Sequence, residues 1–215
     1  MVIMSRGSLA GVSPVLDHLV FAGPDLGDAV ALVEGLTGVR SVPGGRHAGK
    51  GTANHLLGLG GRAYLEIIGP DPEAPEPGGP RPFGIDELRE PRLVTWAVQT
   101  TDLDADVRAA RDGGWDPGTP ESMSRRTPGG ELLEWRLTPF SHADGPVPFL
   151  IDWGDSRHPS EGLPVVPLRS MFGVHPRVEA TTALEAIGVE MEVQAGTRSA
   201  LVTTLEGRTG PVVLL

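Results

Sequence analysis

The stretch Leu16-Asp17-His18-Leu19-Val20-Phe21 begins the pattern that decides the fold, because its apolar character predicts a buried β-strand. Pro24-Asp25-Leu26 follows, and a segment of helical periodicity then ends at Thr37-Gly38. Asp25 predicts a helix N-cap, since a carboxylate there accepts the free amide protons of the first turn. Gly38 predicts the helix end, where a left-handed residue is common. The signals predict a strand, a capped helix and a glycine stop.

The same order of signals occurs twice more. Residues 93–98 resemble a strand, Asp102 is the second predicted cap, and Gly113-Gly114 end the second helix. Residues 168–174 begin a third unit whose helix, over 177–187, ends at Gly188. Short extended segments follow each helix, so the sequence predicts a repeated βαβββ unit.

The predicted fold is α+β, with two βαβββ units forming a curved mixed sheet around a cup and a third βαβββ-like unit at the C-terminus. The predicted divisions are 14–140 for the paired units, 141–164 for an irregular connecting segment and 165–215 for the third unit. That third unit has no partner unit. We expect its sheet to be covered by the first two units or by a second subunit, and homodimerisation is the expectation.

Composition excludes several classes of function. The chain of 215 residues has a formal charge of -10, which opposes binding to nucleic acid or to an anionic membrane. It contains no cysteine, so disulfides and thiolate metal sites are excluded. The first 13 residues contain no apolar run typical of a signal peptide or a membrane span, so a cytoplasmic location is expected.

The segment from Gly44 to Thr52 has the letters of a phosphate-binding loop. Such a loop requires a preceding strand and a following helix that directs amide protons at the phosphates. Here a helix precedes the segment and a predicted β-hairpin follows it. We interpret the segment as a flexible loop and not as an ATP site.

Several short motifs together resemble the glyoxalase-like domain family of the vicinal-oxygen-chelate superfamily. They are Asp17-His18-Leu19-Val20, Gly44-Gly45-Arg46-His47, Tyr64-Leu65-Glu66, Arg81-Pro82-Phe83-Gly84 and Ile151-Asp152-Trp153. The resemblance covers roughly residues 15 to 160. It implies a small-molecule cup, with a divalent metal held by residues on the first and last strands of each unit.

Strand alternation places the predicted ligands on one face. On the first strand His18 faces the cup while Leu19 faces the helix, and on the last strand Tyr64 and Glu66 face the cup. The imidazole of His18 and the carboxylate of Glu66 can therefore converge. A nitrogen and an oxygen donor suit iron, manganese, zinc or nickel.

The second unit departs from the family pattern. Thr95 stands where His18 stands in the first unit, and threonine is a poor metal ligand. If Trp135 and its apolar neighbours pack on the helices, Glu134 and Arg136 face inward. Glu134 is then the expected third ligand. Arg136 is expected to pair with a carboxylate or to hold an anionic substrate.

Plainer roles remain open for each of these residues. His18 is equally well explained as a hydrogen-bonded core histidine, and Glu66 as a solvated or ion-paired carboxylate. Trp96 and Trp135 are expected in the core under the helices. Phe83 belongs to a lid over the cup or to an ordinary turn. Loop residues Asp152, Asp155 and His158 are expected to be solvated, although they can form a small polar cluster.

The resemblance implies a small-molecule enzyme of lyase, isomerase or dioxygenase type, acting with or without the assistance of a metal. Its predicted metal ligands are His18, Glu66 and Glu134, and its proton-transferring residues are Glu66 and Glu134. The predicted substrate-binding residues are Arg136, Tyr64, Thr95, Phe83 and Trp153. The alternative is a metal-free protein of the same fold that binds or sequesters a small molecule. Fold alone does not choose between them.

Overall fold

The computed structural model describes residues 15–142, 144–176 and 179–215. The predicted domain start at residue 14 and the first two residues of the third predicted helix, 177 and 178, lie outside these ranges. None of the helices in these ranges has the length and apolar character needed to cross a bilayer.

Eight strands form a closed barrel in the order β1-β4-β3-β2-β6-β7-β8-β5. In the chain, α1 follows β1 and α2 follows β5. The elements are β1 Val15–Ala22, α1 Leu26–Thr37, β2 Val42–His47, β3 Thr52–Gly60, β4 Ala63–Pro70, β5 Arg92–Gln99, α2 Leu103–Asp112, β6 Glu121–Arg126, β7 Leu132–Leu137 and β8 Phe149–Asp152.

The helix ends agree with the sequence prediction. The Asp25 carboxylate accepts a hydrogen bond from the Asp28 amide at 2.9 Å, and that of Asp102 accepts one from Ala105 at 3.0 Å. Gly38 has a φ of 71°, in the left-handed region that glycine adopts without strain. These caps fix where each helix begins and how the chain returns to the sheet.

β8 lies inside the segment that was expected to be irregular. It pairs with β5 in parallel and with β7 in antiparallel orientation, and so closes the barrel. Its residues 149–151 are buried. The barrel therefore continues past the predicted boundary at residue 140, because this apolar segment fills the gap between two strands that would otherwise have open edges.

The predicted loop between Gly44 and Thr52 is largely strand. β2 extends to His47, a turn covers the next four residues, and β3 begins at Thr52. β2 pairs with β3 and also with β6, which joins the two halves of the barrel. No helix follows the glycines, so the segment lacks the architecture of a phosphate-binding loop.

A second sheet, in the order β10-β9-β11-β12, covers the outside of the barrel. Its elements are β9 Leu168–His175, α3 Glu179–Ala186, β10 Val193–Ala195, β11 Ala200–Gly207 and β12 Gly210–Leu214. Leu201, Leu205 and Leu214 belong to the same buried cluster as Leu19 and Val33. One face of the second sheet is therefore covered by the barrel of the same chain. This is one of the two arrangements expected for the third unit.

Strand alternation separates two apolar clusters. The outer cluster, beneath the helices and the second sheet, contains Leu19, Leu65 and Trp96. The inner cluster, inside the barrel, contains Val20, Tyr64 and Trp135. The barrel interior is the space in which His18 and Glu66 meet.

Candidate functional site

The barrel interior contains a small cup lined by polar and aromatic side chains. Its cavity volume is about 30 Å³, which is room for a group of only a few heavy atoms. The polar lining residues are His18, His47, Asn54, Tyr64, Glu66 and Arg125, and the remaining wall is largely aromatic and aliphatic.

His18 and Glu66 converge in this cup. Their strands, β1 and β4, are parallel neighbours, and Val20 lies opposite Glu66 in the register. His18 Nε2 is 3.8 Å from Glu66 Oε2, and both side chains are more than nine-tenths buried. That distance is too long for a hydrogen bond, so the two groups face each other across a narrow gap.

The other carboxylate oxygen of Glu66, Oε1, faces residues of β3 and β2. Asn54, on β3, donates from Nδ2 to Glu66 Oε1 at 2.5 Å. His47 Nε2, at the end of β2, lies 3.8 Å from the same oxygen. One carboxylate oxygen is therefore fixed, while Oε2 faces His18 and the cup.

His47 is a neutral imidazole at ordinary pH. The pKa of His47 is lowered to about 4, chiefly by burial and also by the nearby Arg125 guanidinium, while the Glu66 carboxylate opposes both effects. Arg125 is the residue directly opposite His47 in the β2–β6 register. Glu66 consequently has one neutral neighbour that cannot supply a full positive charge.

Asp17 orients His18. Its Oδ1 lies 2.6 Å from His18 Nδ1, and because a carboxylate only accepts, Nδ1 must carry the hydrogen. Nε2 is then the nitrogen that can exchange a proton with the cup. The other oxygen, Oδ2, accepts from Trp153 Nε1 and is bonded to His158 Nε2, both at 3.0 Å.

This buried carboxylate remains ionised. Burial raises the pKa of Asp17, but the hydrogen bonds from His158 and His18 outweigh it and lower the pKa to about 2. A register shift in the β1–β5 ladder between Leu16 and His18 accompanies the position of Asp17. A bulge of this kind re-aims a side chain away from simple alternation.

Arg125 is a buried cation in the same cup. Its side chain belongs to β6, where Met123 and Arg125 point inward and Arg126 is exposed. The guanidinium donates to the carbonyl of Gly44. Among the described residues no carboxylate forms an ion pair with it, so its charge has no direct partner there.

Aromatic rings form the rest of the wall. Tyr64 stacks on the His18 ring with centroids 4.7 Å apart, and Trp135 lies 5.1 Å from Trp153. Burial raises the pKa of Tyr64 well above 10, with the Asp17 and Glu66 carboxylates adding to the effect, so the phenol keeps its proton. These rings exclude water from the polar groups.

Phe83 lines the cup and also the neighbouring depression. It belongs to a 3₁₀ turn over Pro82–Glu87 and packs on Phe140 with ring centroids 4.2 Å apart. Its φ of 61° lies in the left-handed region, which is unfavourable for a bulky residue. Strained residues of this kind gather at ligand sites.

Comparison with known proteins places this architecture in a family. A model described as "Glyoxalase-like domain" matches residues 16–187, which is most of the chain. The chain belongs to the glyoxalase-like domain family. This confirms the resemblance to that family that the sequence motifs indicated. No curated protein matches the sequence.

Solved structures resemble the glyoxalase-like chain in fold. A hypothetical protein from Staphylococcus aureus has a TM-score of 0.61 at 13% identity, covering 92% of this chain and 97% of that one. Methylmalonyl-CoA epimerase from Mycobacterium tuberculosis has a TM-score of 0.42 at 19% identity, covering 69% and 94%. A Streptomyces coelicolor methylmalonyl-CoA epimerase in complex with 2-nitronate-propionyl-CoA has the same TM-score and identity, covering 68% and 99%.

The predicted inward orientation of Glu134 and Arg136 is wrong. Both side chains are exposed on the outside of β7, where Arg136 forms two hydrogen bonds with Asp104 at 2.9 and 3.0 Å. Leu133, Trp135 and Leu137 instead face the barrel interior. The apolar face of a strand can pack on helices or inside a closed barrel. Because this barrel is closed, the apolar face of β7 points to its interior and the polar face points outward.

The remaining predicted substrate-binding residues divide into two groups. Tyr64, Phe83 and Trp153 line the cup, and Trp153 also donates to Asp17. Thr95 is buried but lines a neighbouring depression, and its hydroxyl donates to the Val147 carbonyl at 3.2 Å. Trp96 lies under the helices as expected, whereas Trp135 lies in the cup and not beneath them.

The donor set does not fit the predicted metal centre. Of His18, Glu66 and Glu134, the third is outside the barrel. His18 pairs with Ala97 on β5, which pairs in turn with Phe149 on β8, so neither strand supplies a ligand at that level. No group of three or more metal-ligating side chains with suitable geometry occurs in the described part of the chain. A guanidinium in the same cup also opposes a bound cation.

Sequence reasoning missed Arg125 and His47 as cup residues, and it missed Asp17 and His158 as the residues that hold His18 and Trp153 in place. His158 was expected to be solvated, but it is buried and bonded to Asp17. Arg125 lies in the polar string Glu121–Arg126, which gives no sign of a buried face beyond the alternation of Met123 with Arg125. The motif containing His47 was recognised only as a resemblance.

Proposed function

We propose that this glyoxalase-like chain is a small-molecule enzyme that moves a proton at a carbon next to a carbonyl group, in an isomerase or lyase reaction. The observation that carries the proposal is the gap of 3.8 Å between His18 Nε2 and Glu66 Oε2 inside a closed, water-poor cup. Two groups that can hold or release a proton there flank a space for a reacting atom.

Glu66 is the proposed base. Its Oε1 is engaged by Asn54, which leaves Oε2 to take a proton from a substrate carbon that sits in the cup beside Oε2 and His18 Nε2. Because Asn54 holds the carboxylate in one orientation, little ordering is needed when the substrate binds. The aromatic wall limits the access of water to this carboxylate and to the substrate carbon beside it.

His18 is the proposed second proton-transferring group. Asp17 keeps a hydrogen on Nδ1, so Nε2 of the neutral ring accepts a proton, and the imidazolium that results donates it from Nε2 to the developing oxyanion. The ionised Asp17 also stabilises an imidazolium if His18 takes up a proton. This division of roles replaces the expected pair of Glu66 and Glu134, and no step involves a metal.

The test is solvent-proton exchange. Small 2-oxo acids, hydroxyketones and 3-oxo esters are incubated with the protein in D₂O, and deuterium at the carbon next to the carbonyl is followed by NMR. Glu66→Gln is expected to slow the exchange about 10²- to 10⁴-fold, the usual contribution of a general base. Glu134→Gln, which changes an exposed carboxylate outside the barrel, is the matched control and is expected to leave the rate unchanged.

A second candidate is a metal-free protein that binds or sequesters a small molecule. The largely apolar wall, with Trp135, Trp153 and Phe149 around the cavity, favours it. In that case the protein binds its ligand without exchange, and Glu66→Gln leaves the affinity unaltered. Wild-type protein that binds members of the panel yet exchanges none of them supports this candidate against the enzyme.

Two expectations about context remain proposals. We propose that the chain forms a homodimer and that it acts in the cytoplasm. The cup is built from one chain, so the proposed reaction does not require the second subunit. Sedimentation of a clean monomer would reject the dimer and leave the proposed reaction in place.

A further inference from the structure

Arg125 carries a positive charge inside the barrel, where burial makes an unpaired charge energetically unfavourable. Its side chain is 3% exposed and lines the cup, and its one hydrogen bond among the described residues goes to the Gly44 carbonyl. A guanidinium has five N–H donors, and a buried charge without an ionic partner is strongly unfavourable. A buried guanidinium of this kind is expected where a bound ligand supplies the compensating negative charge.

The backbone of β2 is shaped to admit this guanidinium. A side chain at Gly44 would place its first carbon 2.4 Å from Asn54 Oδ1 and 3.1 Å from Arg125 Nη1. Only glycine leaves both polar groups in place. Asn54 Oδ1 is itself buried without a hydrogen-bond partner among the described residues, so this corner of the cup also contains an unpaired hydrogen-bond acceptor.

Glu66 does not neutralise Arg125 by contact. The carboxylate is engaged with Asn54 and lies near both histidines, and no ion pair joins it to the guanidinium. The cup therefore presents a fixed negative base at one side and an unpaired positive group at another. A ligand that matches both has an anionic group at one end and a removable proton near the other.

We infer that Arg125 binds the carboxylate of the substrate, and that the substrate is a small monocarboxylic acid. This inference rests on the proposed function for the removable proton, but the anion site stands on Arg125 alone. The limited free space restricts the acid to a few heavy atoms, and the guanidinium can hold a carboxylate through two parallel hydrogen bonds.

The experiment measures binding and not turnover. Acetate, propionate and pyruvate are titrated against the protein by calorimetry, each beside its uncharged primary amide, with Trp135 and Trp153 as fluorescent reporters at the cup wall. Wild-type protein is expected to prefer each carboxylate over its amide about 10- to 100-fold, as one charge-assisted contact provides.

Three variants locate the effect. Arg125→Met is expected to abolish the preference for carboxylates, and Arg125→Lys to keep part of it. Arg126→Met is the matched control. Arg126 is next to Arg125 on the same strand, but its side chain is exposed and donates to the Gly130 carbonyl. Near-ultraviolet circular dichroism verifies folding, and if Arg125→Met does not fold, the comparison of Arg125→Lys with Arg126→Lys decides.

The inference is overturned if carboxylates and amides bind wild-type protein equally or not at all, or if Arg125→Met keeps the full preference. Glu66→Gln separates the two proposals, because it is expected to keep carboxylate binding while stopping exchange. Unchanged exchange in Glu66→Gln with an intact Arg125 effect would reject the proposed function and leave the anion site standing.

Discussion

The two halves of the barrel face the same cup with different chemistry. Strands β1 to β4 contribute a histidine, a second histidine, an amide and a carboxylate, namely His18, His47, Asn54 and Glu66. Strands β5 to β8 contribute mainly apolar and aromatic side chains together with the single cation Arg125. In the proposed function this difference is a division of labour, in which one half moves protons and the other shapes and selects the ligand.

The halves are joined through Asp17. It lies on β1, yet its Oδ2 is bonded to Trp153 and His158, which follow β8. The orientation of His18 in the polar half therefore depends on the chain that closes the apolar half. A change at this joint should disturb both halves together, whereas a change within either half should act separately.

Loss of the joint is expected to have the largest effect on stability. Asp17→Leu leaves the ring nitrogens of His18, His158 and Trp153 without their acceptor, so the free energy of unfolding should fall by about 3–5 kcal/mol. The measurement is urea denaturation. Asp155→Leu, at an exposed position after β8, is the control, and a similar loss there would remove the special role of the joint.

Acid should weaken the polar half through His47. Its folded pKa of about 4 lies below the 6.5 of an exposed histidine, so between these values the unfolded chain binds a proton that the folded chain does not. Stability is present above pH 6.5 and falls as the pH decreases towards 4.

Between pH 6.5 and 4.5 this loss should be about 2 kcal/mol. His47→Gln, which has no proton to take up, should lose that much less stability over the same interval in urea denaturation. Acid protonation of Asp17 acts lower, between about pH 4 and its folded pKa of about 2, so the two effects can be separated. Equal slopes for variant and wild type would contradict the buried neutral imidazole.

The outer surface of the second half should matter little. Arg136→Met breaks its exposed ion pair with Asp104, and exposed pairs contribute little because water and salt screen them. Carboxylate binding and deuterium exchange should stay within error of wild type. A marked loss of either would mean that the outward orientation of β7 side chains does not hold during function.

Metal removal should have no effect. Protein purified without chelator should contain well below one equivalent of iron, manganese, zinc or nickel, and treatment with EDTA should change neither the unfolding midpoint nor the exchange rate. A stoichiometric metal that is lost in His18→Ala but retained in Glu134→Gln would restore a metal centre built on the first half alone.

The sequence predicted the part of this site that follows from strict alternation. On β1 and β4, His18, Tyr64 and Glu66 share a face because each strand has one side under a helix, and the caps at Asp25 and Asp102 define where those helices begin. In β7 the same rule separated the two faces correctly, but the wrong face was assigned to the cup. Alternation identifies two faces but does not say which one is inside a barrel that closes through β8.

The remaining site residues depend on long-range geometry. Asp17 departs from alternation because of a bulge, and His158 is buried only because its loop folds back onto Asp17. Arg125 is buried because β2 and β6 pair, an association between residues about eighty positions apart in sequence. Local patterns carry no information about such contacts.

The account depends most on whether proton movement and anion binding can be separated between the two halves. The decisive measurement is the deuterium-exchange rate at saturating substrate beside the dissociation constant, for Glu66→Gln and Arg125→Lys. We predict that Glu66→Gln loses exchange at an unchanged dissociation constant, while Arg125→Lys weakens binding and keeps most of the exchange at saturation. Exchange at the wild-type rate in Glu66→Gln would contradict the account.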